Sequence, residues 1–539
     1  MRQQIEYFFL TATFIVGILI NTITGQDATI AKNQPYGYAH ESFINKASFK
    51  KLPTRNIDSI ERCQDSLRQI RPMPYKIGYQ NEVNTDMIAK ENWQAVGKGD
   101  SICRLDFYVE GAKAVNVLFD KFWLPEGARL FIYNKQKTHY LGPFTNWHNI
   151  GTRKHIRGFS SGLLAGNEVI LEYHPPKQDT SIAVISVKSI VNIYKPPRFL
   201  TNKIMDTFKS KGLIGKGFLS SGNCMVNVNC SPEGDDWQDE KKSVVLVVSS
   251  GDRQCSGFLV NNTKNDDEPY LITAEHCIDQ YDAISNPEMD YFDFYIMYES
   301  DSCPNPPWHS EPSYKRLDGG ATVLANGYIS DFALLKLNKD PKEIFSKDTL
   351  AYYDSIYYAG WDRTTDQDTG GVGIHHPQGD IKKISTVEGV PAGGNPHWGI
   401  GWEETDNGWS ITESGSSGSP LFNSGFKVIG QLSSGNDSTC NNPWAKWTHY
   451  GSIYCSWDST RKERRLKDWL DPLGINPTAL DGRYAGAPPV DPCKFSSDTI
   501  TVANTTITSD TTFSAKCRYT FENTTIDNDA EVTVSHQWK

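Results

Sequence analysis

Short runs in which apolar and polar residues alternate recur along most of this chain, each cut off by proline or glycine. Examples are AVNVLFDKFWLPEGARLFIYN (114–134) and NEVILEYH (167–174). A period of two turns one side of a run to a core and the other to water, as half-buried strands do. The chain therefore reads as all-β. At 539 residues it exceeds what one core organises, so about three or four units are expected. Apolar residues at 38% and aromatics at 12% suffice to fill ordinary cores. The formal net charge of -10 is spread without a long block of one sign or a basic stripe, which disfavours a nucleic-acid partner.

The first residues have the form of a secretory signal: Arg2, an apolar run over 7–20, then Thr24 and Gly25 before Gln26. Cleavage near Gly25 would remove residues 1–25. Thr11, Thr13 and Gly17 interrupt the run, which falls short of the roughly 20 residues a membrane span needs. No later segment is long and apolar enough to span. A secreted, extracellular protein is expected, with surface association left open. Export makes the 11 cysteines candidate disulfides, and the odd count leaves at least one unpaired or paired outside the chain. None sits in a CxxC pair, so a cysteine-based zinc site is a poor reading.

Residues 26–218 are β-rich and sandwich-like, ending in KSKGLIGKGFLSSG (209–222), a flexible basic stretch suited to processing. A second all-β unit spans 219–486, with strands expected at 244–248, 292–298, 332–337 and 427–432. It closes on STRKERRLKDWLDP (459–472), read as one helix with Thr460 and Glu463 as a capping box and Leu466, Trp469 and Leu470 on one face. Residues 487–492 form a Pro-rich linker, and 493–539 a small β-rich module bracketed by Cys493 and Cys517. No long internal repeat stands out.

Three motifs carry chemistry: LITAEHC (271–277), SDFALLKL (330–337) and ESGSSGSPLF (413–422). A serine hydroxyl is a weak nucleophile, so peptide cleavage needs an imidazole to take its proton and a carboxylate to hold that imidazole in one tautomer. His276, Asp331 and Ser417 supply these groups. Glycines flanking the serine give a tight turn that exposes the hydroxyl and directs the N–H groups of Gly415 and Ser417 at a developing oxyanion. Adjacent His375 and His376 would face opposite ways in a strand and cannot easily share one ion, so no metal or other cofactor is assigned.

The order His276, Asp331, Ser417, with Cys277 after the histidine and Pro420 after the serine, resembles trypsin and chymotrypsin. CSGFLVNNT (255–263), AGWDR (359–363), GIHHP (373–377), GSSGSP (415–420), GQL (430–432) and DWLDP (468–472) are similar to the lysyl endopeptidase branch of that superfamily. The likeness covers about 219–486, and the region before it resembles that branch's propeptide. It implies a chymotrypsin-like double β-barrel with the triad in the cleft, preceded by its own propeptide and acting on proteins or peptides. It also implies disulfides Cys224–Cys440, Cys230–Cys303 and Cys255–Cys277. Domain membership suggests Cys63 with Cys103 and Cys493 with Cys517, leaving Cys455 single.

Departures bear on selectivity. The lysine-selecting acid of the branch lies just before a Tyr-Gly pair; here that pair is Tyr450–Gly451 and the matching residue is Thr448. Ser433 stands where a pocket-wall histidine is expected, with Ser434 and Gly435 beside it. Ile411 stands six residues before Ser417, where trypsin keeps its acid, and Asp437 is more simply a solvated loop residue. A neutral residue before the scissile bond is therefore expected. Ser416 replaces the aspartate that many animal relatives pair with a new amino terminus, leaving restraint to the prosegment. Glu275 beside His276 is read as pointing to solvent. A non-catalytic surface or adhesion protein is the alternative, although its kind would usually have lost part of the triad; a metallohydrolase would need an HExxH motif that is missing.

Overall fold

The computed structural model describes residues 34–39, 48–96, 100–177, 182–208, 221–278, 287–305, 312–345, 355–435, 440, 447–487 and short strands between 499 and 535. The signal-like segment, the stretch 209–220, Asp437, Cys493 and Cys517 lie outside the described residues.

The alternating runs of the amino-terminal part form two sheets. One orders Ser48–Leu52, Asp100–Val109, Glu168–His174, Arg129–Asn134 and Tyr140–Phe144; the other orders Phe159–Ala165, Ala114–Trp123, Val184–Ile193 and Gly78–Asp86. They share one core, with Leu105, Phe107 and Leu171 from the first and Val117, Phe119 and Val187 from the second. A helix, Ile57–Arg68, is capped by Asn56, which accepts from the Ser59 N–H at 2.9 Å. Beyond it the chain runs through 71–74 into the short strand Tyr75–Lys76, which joins a different sheet.

That sheet belongs to the first of two barrels. It orders Lys315–Leu317, Asp293–Ile296, Val244–Ser249, Arg253–Leu259, Tyr270–Ala274, Phe332–Leu337 and Ala321–Gly327. The second barrel includes Lys383–Thr386, Val372–His375, Pro420–Phe422, Lys427–Gly435, Thr448–Ser452 and His397–Ile400 in spatial order. The fold is an all-β, chymotrypsin-like double barrel behind a β-sandwich. A common apolar cluster joins them: Tyr75, Leu118, Phe199 and Ile204 pack with Leu246, Val248, Tyr295 and Tyr298. Buried carboxylates of the first barrel take partners from the sandwich: Lys76 Nζ lies 2.9 Å from Asp252 and the Ser160 hydroxyl donates to Asp293 at 2.7 Å.

Several expectations are corrected. The single helix over 459–472 is divided into a 3-10 turn, Lys462–Arg464, and a four-residue helix, Lys467–Leu470. Arg465 is extended between them and pairs with Asp468 at 2.8 Å, while Leu466 and Leu470 still sink into the core. Cys63 and Cys103 are not bonded: Cys63 is exposed, whereas Cys103 is buried in a strand and donates to the Met87 carbonyl. The carboxy-terminal strands pair in parallel, Thr499–Ala503 with Arg518–Glu522, Thr506–Ile507 with Thr525–Ile526 and Thr511–Ser514 with Val532–Ser535. The tail is thus two successive turns of chain stacked on each other, a repeat the sequence reading missed. Among the described residues no helix is long and apolar enough to cross a membrane.

Candidate active site

The strand Tyr270–Ala274 ends in a 3-10 turn, Glu275–Cys277, that carries His276, and the Cys255–Cys277 disulfide ties this turn to the neighbouring strand. Asp331 immediately precedes the strand Phe332–Leu337, whose Phe332 pairs with Ala274, so it falls beside the turn. Its φ of +55° is left-handed, a conformation aspartate tolerates better than most residues. There its carboxylate grips His276 twice: Oδ1 accepts the backbone N–H at 3.0 Å and Oδ2 lies 2.7 Å from Nδ1. An ionised carboxylate only accepts, so Nδ1 carries the proton and Nε2 is left as a base. Nε2 is buried and has no hydrogen-bond partner among the described residues.

Ser417 comes from the other barrel. Its carbonyl accepts the Ser256 N–H at 2.8 Å, and the Ser256 hydroxyl donates to the Gly415 carbonyl at 3.0 Å. Gly418 N–H donates to Leu432 O at 2.8 Å. The N–H groups of Gly415 and Ser417 make no hydrogen bond among the described residues. Ser416 is fully buried and its hydroxyl lies 2.7 Å from His375 Nδ1; His375 Nε2 reaches Ser385 at 2.9 Å. His376 instead bonds the Asp380 carbonyl at 2.9 Å and stacks on Tyr298. Burial, helped by nearby lysines, pushes both imidazoles down to about 3. Metal-type donors also gather at Cys255, His276 and Cys277, but both sulfurs are spent in the disulfide, leaving a single nitrogen.

Two cavities flank the site. One, of about 590 Å³, is lined by Ser417, Thr412, Glu413, Ser433, Ser434 and Gly435; the other, of about 550 Å³, by His276, Asp331, Glu275, His397 and His449. Residues 71–73 of the sandwich part line both. Thr448 does not reach the first cavity. It lies behind Thr412, with the two hydroxyls 3.3 Å apart, and accepts from Trp402 Nε1 at 3.0 Å. Ile411 is buried in the apolar cluster of the second barrel. The acid at this cavity is one that had not been singled out, Glu413. Its oxygens accept from Gly222 N–H at 3.2 and 3.3 Å and from the Gln378 amide at 3.0 Å, and burial raises its pKa. Its position four residues before Ser417, inside the nucleophile motif, was the available signal. The expectation for Glu275 is also corrected: its side chain is 8% exposed, with burial first and Asp331 second raising its pKa.

The bonds Cys224–Cys440 and Cys230–Cys303 join distant parts of the same region, and Cys455 carries a free thiol. Residues 218–451 match the profile of the family described as lysyl endopeptidase, C-terminal domain. This part of the chain is lysyl endopeptidase-like. The lysyl endopeptidase of Pseudomonas aeruginosa is 28% identical over 253 residues, covering 44% of this chain and 50% of that protein. The chain thus spans about half the length of this curated relative. Among solved structures, Deg5 is 15% identical with a TM-score of 0.24, over 41% of this chain and 87% of that one. A serine endoprotease from Yersinia pestis is 13% identical with a TM-score of 0.24, over 39% and 59%. The sheets described above, rather than these scores, define the fold of the lysyl endopeptidase-like region.

Proposed function

We propose that this protein is a secreted serine endopeptidase that hydrolyses peptide bonds through an acyl-enzyme, made as a precursor in which residues 26–218 precede the protease domain at 219–486. The observation that carries the reading is the double grip of Asp331 on His276, which fixes the proton on Nδ1 and leaves Nε2 unpartnered beside the turn of Ser417. In this reading Ser417 Oγ attacks the scissile carbonyl as Nε2 takes its proton, and the same imidazolium then protonates the leaving nitrogen. The N–H groups of Gly415 and Ser417 receive the oxyanion; a donor of this kind is typically worth about 3 to 4 kcal/mol in the transition state. Water repeats the cycle in reverse to release the acyl group.

The pocket for the residue before the scissile bond is formed by Thr412, Ser433, Ser434 and Gly435 with Thr448 behind, and this set supports a preference for uncharged side chains. A lysine there would need an unengaged carboxylate, since an unpaired buried charge is very costly. Glu413 favours a second reading, cleavage after basic residues, because it lines the same cavity; its oxygens are occupied by Gly222 and Gln378. The test is to treat processed protein with a fluorophosphonate probe and locate the adduct by mass spectrometry. Labelling at Ser417 that disappears in Ser417→Ala is expected. Folded, prosegment-free protein that takes no label would shift the weight to a binding protein without activity. Profiling on a peptide library then separates the two pocket readings, strict cleavage after lysine or arginine overturning the first.

A further inference from the structure

We propose that residues 71–76 of the prosegment lie in the cleft as a bound substrate would, with the Met73–Pro74 bond at the position of the bond to be cut. The proposal rests on the endopeptidase reading. It starts from the register of the short ladder. Tyr75 pairs with Gln254 and Lys76 with Arg253, antiparallel. Followed back by two residues, an antiparallel partner advances by two, which brings Met73 level with Ser256. Ser256 is the residue whose N–H holds the Ser417 carbonyl at 2.8 Å. Met73 accordingly lines the cavity of Ser417 and also that of His276. Pro74 is buried and lines neither cavity.

The direction of the chain is that of a substrate. Residues before the bond lie along Ser433 and Ser434, where the acyl part must sit, and residues after it lie along Arg253 and Gln254, on the leaving-group side. Met73 is uncharged, which suits a pocket formed by threonine and serine hydroxyls. The segment survives because of its next residue. Cleavage requires Ser417 Oγ to bond the Met73 carbonyl carbon, the C–N bond to Pro74 to break, and the proton from Oγ to pass through His276 to that nitrogen. Proline makes that nitrogen tertiary, and its ring occupies the side from which the imidazole would approach. A substrate-like hold without turnover follows.

The test uses two synthetic peptides covering residues 68–78, one with the native sequence and one carrying Pro74→Ala, together with processed enzyme already shown to label at Ser417. Competitive inhibition by the native peptide is expected, with cleavage of the substituted peptide between residues 73 and 74 at least about 100-fold faster. Full-length precursor carrying Pro74→Ala should be cut at the same bond, and the cut should vanish when Ser417→Ala is added. Labelled, active enzyme that neither binds the native peptide nor cuts the substituted one there would overturn the substrate-like register. Enzyme that takes no label fails the endopeptidase reading instead, so the two failures are separate.

Discussion

Gly418 follows the nucleophile, and replacing it with alanine tests whether the geometry around Ser417 is as tight as it looks. Its φ is +83°, where an added Cβ costs roughly 1–2 kcal/mol. That Cβ would also fall 2.2 Å from Thr273 Oγ1, 2.5 Å from Ser256 O and 2.6 Å from Ala274 N. Two of the three are backbone atoms of the strands that position His276 and hold Ser417. Relief to an ordinary contact needs about 1 Å of movement, and a misplacement of that size costs on the order of 100-fold in rate. Overpacking adds about 1–3 kcal/mol of lost stability. Gly418→Ala should therefore lose about 100-fold in the second-order rate of fluorophosphonate labelling, with a lower melting temperature. Gly474→Ala is the control: φ is +65° with nothing within 4 Å, so it should lose only the conformational 1–2 kcal/mol and label normally. Folded Gly418→Ala labelled within about threefold of the parent would refute the argument that this contact positions the nucleophile.

Asp331→Asn should lower turnover about 10,000-fold near neutral pH while leaving the fold intact, because an amide can no longer hold Nδ1 as donor; circular dichroism and peptide hydrolysis check it. Acid should weaken the protein from about pH 6.5 downward. His375 and His376 titrate near 3 when folded and near 6.5 when unfolded, so the unfolded chain binds more protons in between. At pH 5 each contributes about 2 kcal/mol of destabilisation. Calorimetry at pH 7 and pH 5 should show it, and a melting temperature that does not fall would contradict the burial. Replacing Cys255 and Cys277 together by alanine opens a bond of sequence separation 22 and should cost about 3 kcal/mol, read by chemical denaturation.

Local patterns foretold the strands because both sheets of the sandwich and both barrels bury one face, and alternation records that directly. Val244–Ser249, Phe332–Leu337 and Lys427–Gly435 fall where the apolar runs placed them. The closing helix was misjudged because its spacing suited a helix while the pairing of Arg465 with Asp468 and the burial of Leu466 favour two short turns. The stacked tail was illegible for another reason: two copies offset by about twenty residues share little beyond Thr, Val and aromatic alternation. The motifs brought forward His276, Asp331 and Ser417, but nothing in them foretold residues 71–73. That placement depends on a strand joining a sheet about 180 residues away, and local sequence carries no record of such a partner.

The same strand, Arg253–Leu259, explains why the prosegment and a substrate compete. Val244–Ser249 pairs with it along its length, whereas Tyr270–Ala274 pairs only at Phe258 and Leu259. Around Arg253 and Gln254 one edge is left open toward the cleft, and Tyr75–Lys76 completes it. Two positions further along, that edge holds Ser417 through Ser256, and Cys255 between them is bonded to the residue after His276. An open strand edge is a template for any extended peptide. Removal of the prosegment therefore exposes, in one step, a backbone ladder, the pocket beside Ser434 and the unpartnered Nε2 of His276. Lys76 adds a lock, since its departure strips a cation from the buried Asp252, which keeps Arg253 at 3.4 Å. The prosegment contact that covers the site thus also stabilises the barrel that builds it.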